Sequence, residues 1–105
     1  MQQLIERLKR DGADDETINA FLKYHEQNPM IWRHFSKYAA KAMASGKQIG
    51  AKAVAERVRW ECEIETHGEF KVSNSWIPYY ARAFNVEAKR EFFSCKELHG
   101  VKVYA

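Results

Sequence analysis

The chain predicts an α+β fold: N-terminal helices followed by a winged-helix-like half with a small antiparallel sheet. Three observations lead there. Up to about residue 62, apolar side chains recur at i, i+3, i+4 and i+7, the spacing of a buried helix face. In the stretch FKVSNSWIPYYARAF, 70–84, a short β-like run (Phe70, Lys71, Val72) leads directly into another helical pattern. Near the end, Val101 and Val103 alternate with Lys102 and Tyr104, as on a half-buried strand. A length of 105 residues fits a single domain. Residues 1–46 form its helical layer and 50–104 its winged-helix-like half.

Each element has a local reason. Residues 2–10 place Leu4, Ile5 and Leu8 on one face, and Asp11-Gly12 ends the run. A second helix starts at Asp14 or Asp15, with Glu16 near the positive end of the helix dipole, and turns Ile18, Phe21, Leu22 and His25 inward. Asn28-Pro29 pairs an N-cap residue with proline at the first helical position and opens a third helix. That helix reaches about Ala44, with Ile31, Phe35, Tyr38, Ala39 and Ala42 inward and Gly46 placed to close it. A fourth follows Gly50 and buries Ala51, Val54, Ala55, Val58 and Cys62. Residues 69–73 read as a strand. Ser75 then reads as the N-cap of a helix over 75–84, with Pro78 in its first turn and Ile77, Tyr80, Ala81 and Phe84 on its buried face. Asn85-Val86 reads as a turn, 87–92 as a short helix, and the end as a hairpin folded at His99-Gly100.

Composition excludes several classes. With 46% apolar and 30% charged residues, the chain is globular rather than disordered. It has no apolar run long enough to span a membrane, and charges throughout its first residues exclude a signal-peptide core. Cys62 and Cys95 sit in no C-x-x-C pattern and are expected as reduced thiols, which points to a cytoplasmic protein.

The net charge of +3 is unevenly spread. Between residues 33 and 59, Arg33, Lys37, Lys41, Lys47, Lys52, Arg57 and Arg59 face a single acid, Glu56. A basic stretch of this kind is suited to phosphate backbones, where it releases condensed counterions.

Catalytic and metal chemistry find little support. His25, His34, His67 and His99 have no ligand spacing, no glycine-rich phosphate loop occurs, and Glu61, Glu63 and Glu65 read as a solvated edge. The expectation is a non-enzymatic protein with no metal and no cofactor. Its predicted partner is double-stranded DNA, held through phosphates by Lys47, Lys52, Arg59, Asn74, Arg82, Lys89, Arg90 and Lys96. In the winged-helix order, residues 87–92 would be the groove-facing helix, presenting Lys89 and Arg90, and Lys96 and Lys102 would lie on the wing. Tyr79 and Arg82, three apart and off the Ile77–Phe84 stripe, are expected to face outward together. The alternative partner is a protein, with Trp76, Tyr79 and Arg82 as anchors.

The motifs V-R-W (58–60), F-K-V-S-N (70–74), P-Y-Y-A-R-A-F (78–84) and E-F-F (91–93) resemble a family of small proteins found in tailed phages and prophages. The likeness runs over about residues 21–97. The chain departs from the pattern at Ser75 and beyond Lys96. The family carries no agreed activity, so the resemblance implies an origin: a phage-encoded protein acting in the host bacterial cytoplasm. In that setting the protein-binding alternative becomes an inhibitor of a host defence or replication protein.

Overall fold

A computed structural model describes residues 1–65 and 72–98. Five α-helices account for most of them: α1 (Gln2–Arg10), α2 (Asp15–Gln27), α3 (Pro29–Ala44), α4 (Ala51–Trp60) and α5 (Ile77–Ala88). A π-helical turn at Glu61–Glu65 extends α4, and a 3-10 turn at Asn74–Trp76 precedes α5.

Helices α2 and α3 begin and end on local chemistry. Asp14 caps α2 by accepting the Thr17 amide at 2.8 Å. Pro29 opens α3. Asn28 stands at the joint but turns back: its side-chain amide donates to the Tyr24 carbonyl at 2.9 Å, closing α2 rather than capping α3. Gly46 follows α3 at φ +79°, a left-handed conformation open to glycine at little cost.

The fold is organised around α5. Ile77, Tyr79, Tyr80, Ala81, Arg82, Phe84 and Asn85 are all buried, so the helix is covered nearly all round. It packs against α1, α3 and α4. Phe21 of α2 meets the rings of Tyr79 and Tyr80 at centroid distances of 5.2 and 5.0 Å. Beyond α5, Phe93 packs on Phe35, Phe84 and Phe92. One apolar cluster, running from Leu4 to Phe93, draws on every α-helix.

The α+β reading is overturned. The described residues contain no strand, and the fold they form is all-helical. The expected first strand falls partly on 69–71, and the turn and second arm of the expected hairpin on 99–104, all outside the described residues. What is described of them, 72–73 and 93–98, is not strand. The capping serine also shifts. Ser73, not Ser75, is the cap: its Oγ accepts the Ser75 amide at 3.2 Å and starts the 3-10 turn. The groove-facing helix at 87–92 does not form either. Glu87 and Ala88 complete α5, Lys89 ends it at φ 57° and ψ 40°, and 91–98 run on as a strap without regular structure.

The physical reason lies in where the strap's peptide groups find partners. Side chains supply most of them. Asn85 accepts the Phe93 amide at 3.0 Å and donates to the Phe93 carbonyl at 2.9 Å. Gln48 donates to the Phe92 carbonyl at 2.8 Å, and Arg82 donates to the Lys96 carbonyl. The strap ends with the Leu98 amide donating to the Asp11 carbonyl at 2.7 Å. Gly12 makes that approach possible. Its φ is +113°, and a Cβ there would stand 2.2 Å from the Leu98 carbonyl oxygen.

Arg82 holds these parts together. It is 1% exposed. Its Nε donates to Asp11 Oδ2 at 2.5 Å and its Nη1 to the Pro78 carbonyl at 2.9 Å. Asp11 also accepts from Arg7 Nε at 2.8 Å, and Arg7 forks onto both oxygens of Glu91. Burial works to raise the Asp11 carboxyl, but the hydrogen bonds and charges of Arg7 and Arg82 outweigh it and hold the group below its ordinary value. The Arg7 hydrogen bond likewise lowers Glu91 against a smaller opposing effect of desolvation.

Two outcomes follow. Arg82→Met keeps the bulk but takes the side-chain donor from the Lys96 carbonyl and one of two arginine partners from Asp11, so unfolding in urea is expected to show a loss of about 2 kcal/mol; a change within about 0.5 kcal/mol would contradict the hub. Both carboxyls are depressed in the folded state, so the unfolded chain takes up protons first as pH falls. Stability is therefore full above the ordinary values of 4.5 for Glu91 and 3.8 for Asp11, and drains away as pH drops through the lower folded values. The melting temperature should hold steady above these values and fall below them; a flat profile through that range would reject the linkage.

Candidate functional site

The predicted site residues separate into two groups. Arg82, Arg59 and Asn74 serve the fold. Arg59 pairs with Glu56 at 2.9 Å and donates to the Val72 carbonyl at 3.0 Å and to Asn74 Oδ1 at 2.7 Å. It thereby ties the end of α4 to the chain entering α5. Lys47, Lys52, Lys89, Arg90 and Lys96 are exposed. Lys89 and Arg90 lie at the end of α5, in an open groove shared with Arg7, Arg10, Glu6 and Glu91. The outward Tyr79–Arg82 pair does not exist: Tyr79 is 5% exposed, and Trp76, the third expected anchor, is 7% exposed. Position on the helix explains this. The open side of α5 runs through Ala83, Val86 and Glu87, while Tyr79 and Arg82 lie on the faces packed against its neighbours.

A different surface carries exposed apolar side chains. Trp60 is 52% and Ile64 49% exposed, four residues apart along α4 and its π-helical extension. Val54, Val58 and Cys62 mark the inner face of the same segment. Trp60 lies two residues from Val58, a rotation of about 200° on a helix, and so points away from the core. Arg57 and Ala53 are exposed on the same side, at seven and eleven residues before Ile64.

Tyr38 of α3 joins the neighbouring helix to this surface. Its hydroxyl donates to Glu61 Oε1. The Arg57 guanidinium carbon lies 5.0 Å and Lys37 Nζ 5.3 Å from its ring centroid, within cation–π range. His34 stacks on the same ring at 6.4 Å. Neither ring nitrogen of His34 has a partner, and both are buried. The Tyr38 hydrogen bond, outweighing desolvation, holds the Glu61 carboxyl below its ordinary value, with His34, Arg57 and Lys37 adding to the effect. Glu61 is thus the acid counterweight to a cationic face that continues along α3 through Lys41 and Arg33, both exposed.

The alternating glutamates do not converge on one point. Glu61 turns to Tyr38, while Glu63 accepts the Val72 amide at 3.4 Å and faces Arg59 Nε at 3.7 Å. Among the described residues, no group of three or more His, Cys, Asp or Glu side chains is placed to hold a metal ion. No helix among them is long and apolar enough to cross a membrane. Compared with family models, curated proteins and solved structures, the chain matches none.

As a tryptophan, Trp60 reads from the sequence as a core residue rather than a surface one. The signal against this was present: Trp60 shares no face with Val54, Val58 and Cys62. Tyr38 was assigned to the buried stripe of α3 and sits at its margin instead, half-buried.

Replacing Tyr38 by Phe removes the hydroxyl that acts most strongly on Glu61. Followed by NMR, the Glu61 carboxyl in Tyr38→Phe should titrate at a higher pH than in the parent protein. An unchanged titration would mean that the cations alone set its charge.

Proposed function

We propose that the protein is a non-enzymatic binding module that docks on a partner protein through the α3–α4 face. The DNA reading is withdrawn. The helix meant for the groove is absent, the described residues hold no sheet, and two of its arginines, Arg59 and Arg82, are engaged within the fold.

The supporting observation is the Trp60–Ile64 pair. Two large apolar side chains, each about half exposed, lie a turn apart on the side of α4 that also carries the exposed Arg57. Exposed apolar surface of this kind marks interaction sites. Tryptophan and arginine are the residues that most often dominate the energetics of such sites. Arg57 on the same side of α4, with the exposed cations Arg33, Lys37 and Lys41 along the neighbouring α3, favours a partner whose contact surface is an apolar depression rimmed by carboxylates, which would also speed encounter. On the phage-family resemblance, that partner is a defence or replication protein of the bacterial host, and the place of action is the host cytoplasm. Binding there would inhibit by occlusion and needs no chemistry from this chain.

The test is capture from host lysate on the immobilised protein, with and without nuclease, followed by titration of the purified partner. The complex should survive nuclease and weaken with salt. Trp60→Ala should lower affinity by about 2 kcal/mol, roughly thirtyfold, while leaving the melting temperature within a few degrees, because the side chain is outside the core. Loss of the complex on nuclease treatment, or indifference to Trp60→Ala, would reject the proposal.

A further inference from the structure

A half-enclosed cavity of about 240 Å³ opens among α1, α2, α3 and α5. Leu4, Phe21, Trp32, Tyr80, Ala83 and Val86 supply its apolar wall. Three of these side chains brace one another. Trp32 lies at 17° to Tyr80 with centroids 5.9 Å apart, and Phe21 meets Tyr80 edge-on at 5.0 Å. Leu4, Phe21 and Tyr80 are buried members of the core. The wall is therefore in place before any ligand arrives, and little conformational freedom is lost on binding.

The wall is also a poor solvent for charge. Burial alone pushes His25, which lines the cavity, below its ordinary value. Burial is likewise the larger of the two causes that push the Tyr80 hydroxyl well above its own. Both shifts favour the neutral form, as expected of groups withdrawn from water. The formal charges of the lining show no excess of either sign: Glu87 brings a carboxylate and Met1 its ammonium, and both residues are exposed. A charged guest would lose hydration against the apolar wall with no net charge in the lining to offset the loss. We propose that this cavity binds an uncharged, largely apolar small molecule about the size of two fused rings. An apolar cavity of roughly 150 Å³ takes up benzene, and about 240 Å³ leaves room for a second ring. None of the lining residues belongs to the α3–α4 docking face, so the site stands or falls independently of that reading.

Indole, 1-methylquinolinium and indole-3-carboxylate are two-ring probes that are neutral, cationic and anionic at neutral pH. Each is titrated into the isotope-labelled full chain and followed by two-dimensional NMR. Indole should give saturable shifts centred on the amides of Leu4, Phe21 and Ala83, and each ion should bind at least about fivefold more weakly. Ala83→Met lengthens a side chain of the wall at a half-buried helical position and should weaken indole at least about fivefold. The shift map needs no variant, so the test holds even where Ala83→Met fails to fold. No saturable shift with indole, shifts centred elsewhere, an ion that binds as tightly as indole, or parental affinity in folded Ala83→Met would each overturn the proposal.

Discussion

Everything else in the structure depends on burying one guanidinium. Removing Arg82 from water is costly, and an isolated buried charge of this kind would not survive folding. Its environment offsets the cost through three partners, two of them outside its own helix: the Asp11 carboxylate between α1 and α2, the Lys96 carbonyl on the strap, and the Pro78 carbonyl one turn back in α5. Planar geometry matters here. A fork with several donors can serve a carboxylate and two carbonyls at once, and a lysine ammonium could not spread its hydrogen bonds in the same way. An apolar replacement would relieve the burial of charge but take the side-chain donor from the Lys96 carbonyl and leave the Asp11 carboxylate to Arg7.

This explains why the helical half was legible in the sequence and the C-terminal half was not. The helices α1 to α4 are written in short-range code: Asp14 three residues from Thr17, Asn28 beside Pro29, Gly46 just past α3, apolar residues at helical spacing. The strap is written in long-range code. Besides the local Phe92 amide to Arg90 carbonyl bond, the strap is held by Gln48, Asn85, Arg82 and the Asp11 backbone, and no local pattern announces these. Read locally, Phe93 and Cys95 look like the inward residues of a strand, and a strand needs a ladder partner. Here polar side chains take the place of that partner, so a pattern suited to β structure gives none.

The functional surface divides along the same line. The concentration of positive charge between residues 33 and 59 is plain from the sequence, but which cations remain available is not. Arg57 and Arg59 are two residues apart and have opposite fates. Arg59 faces Glu56, Glu63 and the returning chain at 72–74, and is consumed. Arg57 lies over Tyr38 with Glu61 at 4.0 Å, yet stays exposed on the side of α4 that carries Trp60. A rotation of about 200° along a helix separates these roles, and only the packing of α3 on α4 decides which side is solvent. Burial of Tyr79 and Arg82 is the same lesson in reverse, because the open side of α5 runs through Ala83, Val86 and Glu87 and leaves both on packed faces.

The π-helical turn at Glu61–Glu65 bears on why the apolar pair is exposed at all. Such turns are less favourable than α-helix and are found disproportionately at functional sites. In this one, Cys62 is 2% exposed, Glu61 reaches Tyr38, Glu63 reaches the Val72 amide, and Ile64 emerges on the side of Trp60. Widening the helix lets these side chains keep their separate directions across a single turn. The core would be served by Cys62 alone and the ion pairs by the two glutamates; neither requires an isoleucine in water. An irregular backbone that ends by presenting Ile64 next to Trp60 is better understood as positioning a contact surface than as finishing a helix. That is the strongest reason to look for this protein's activity at the junction of α4 with its extension rather than in the basic stretch as a whole.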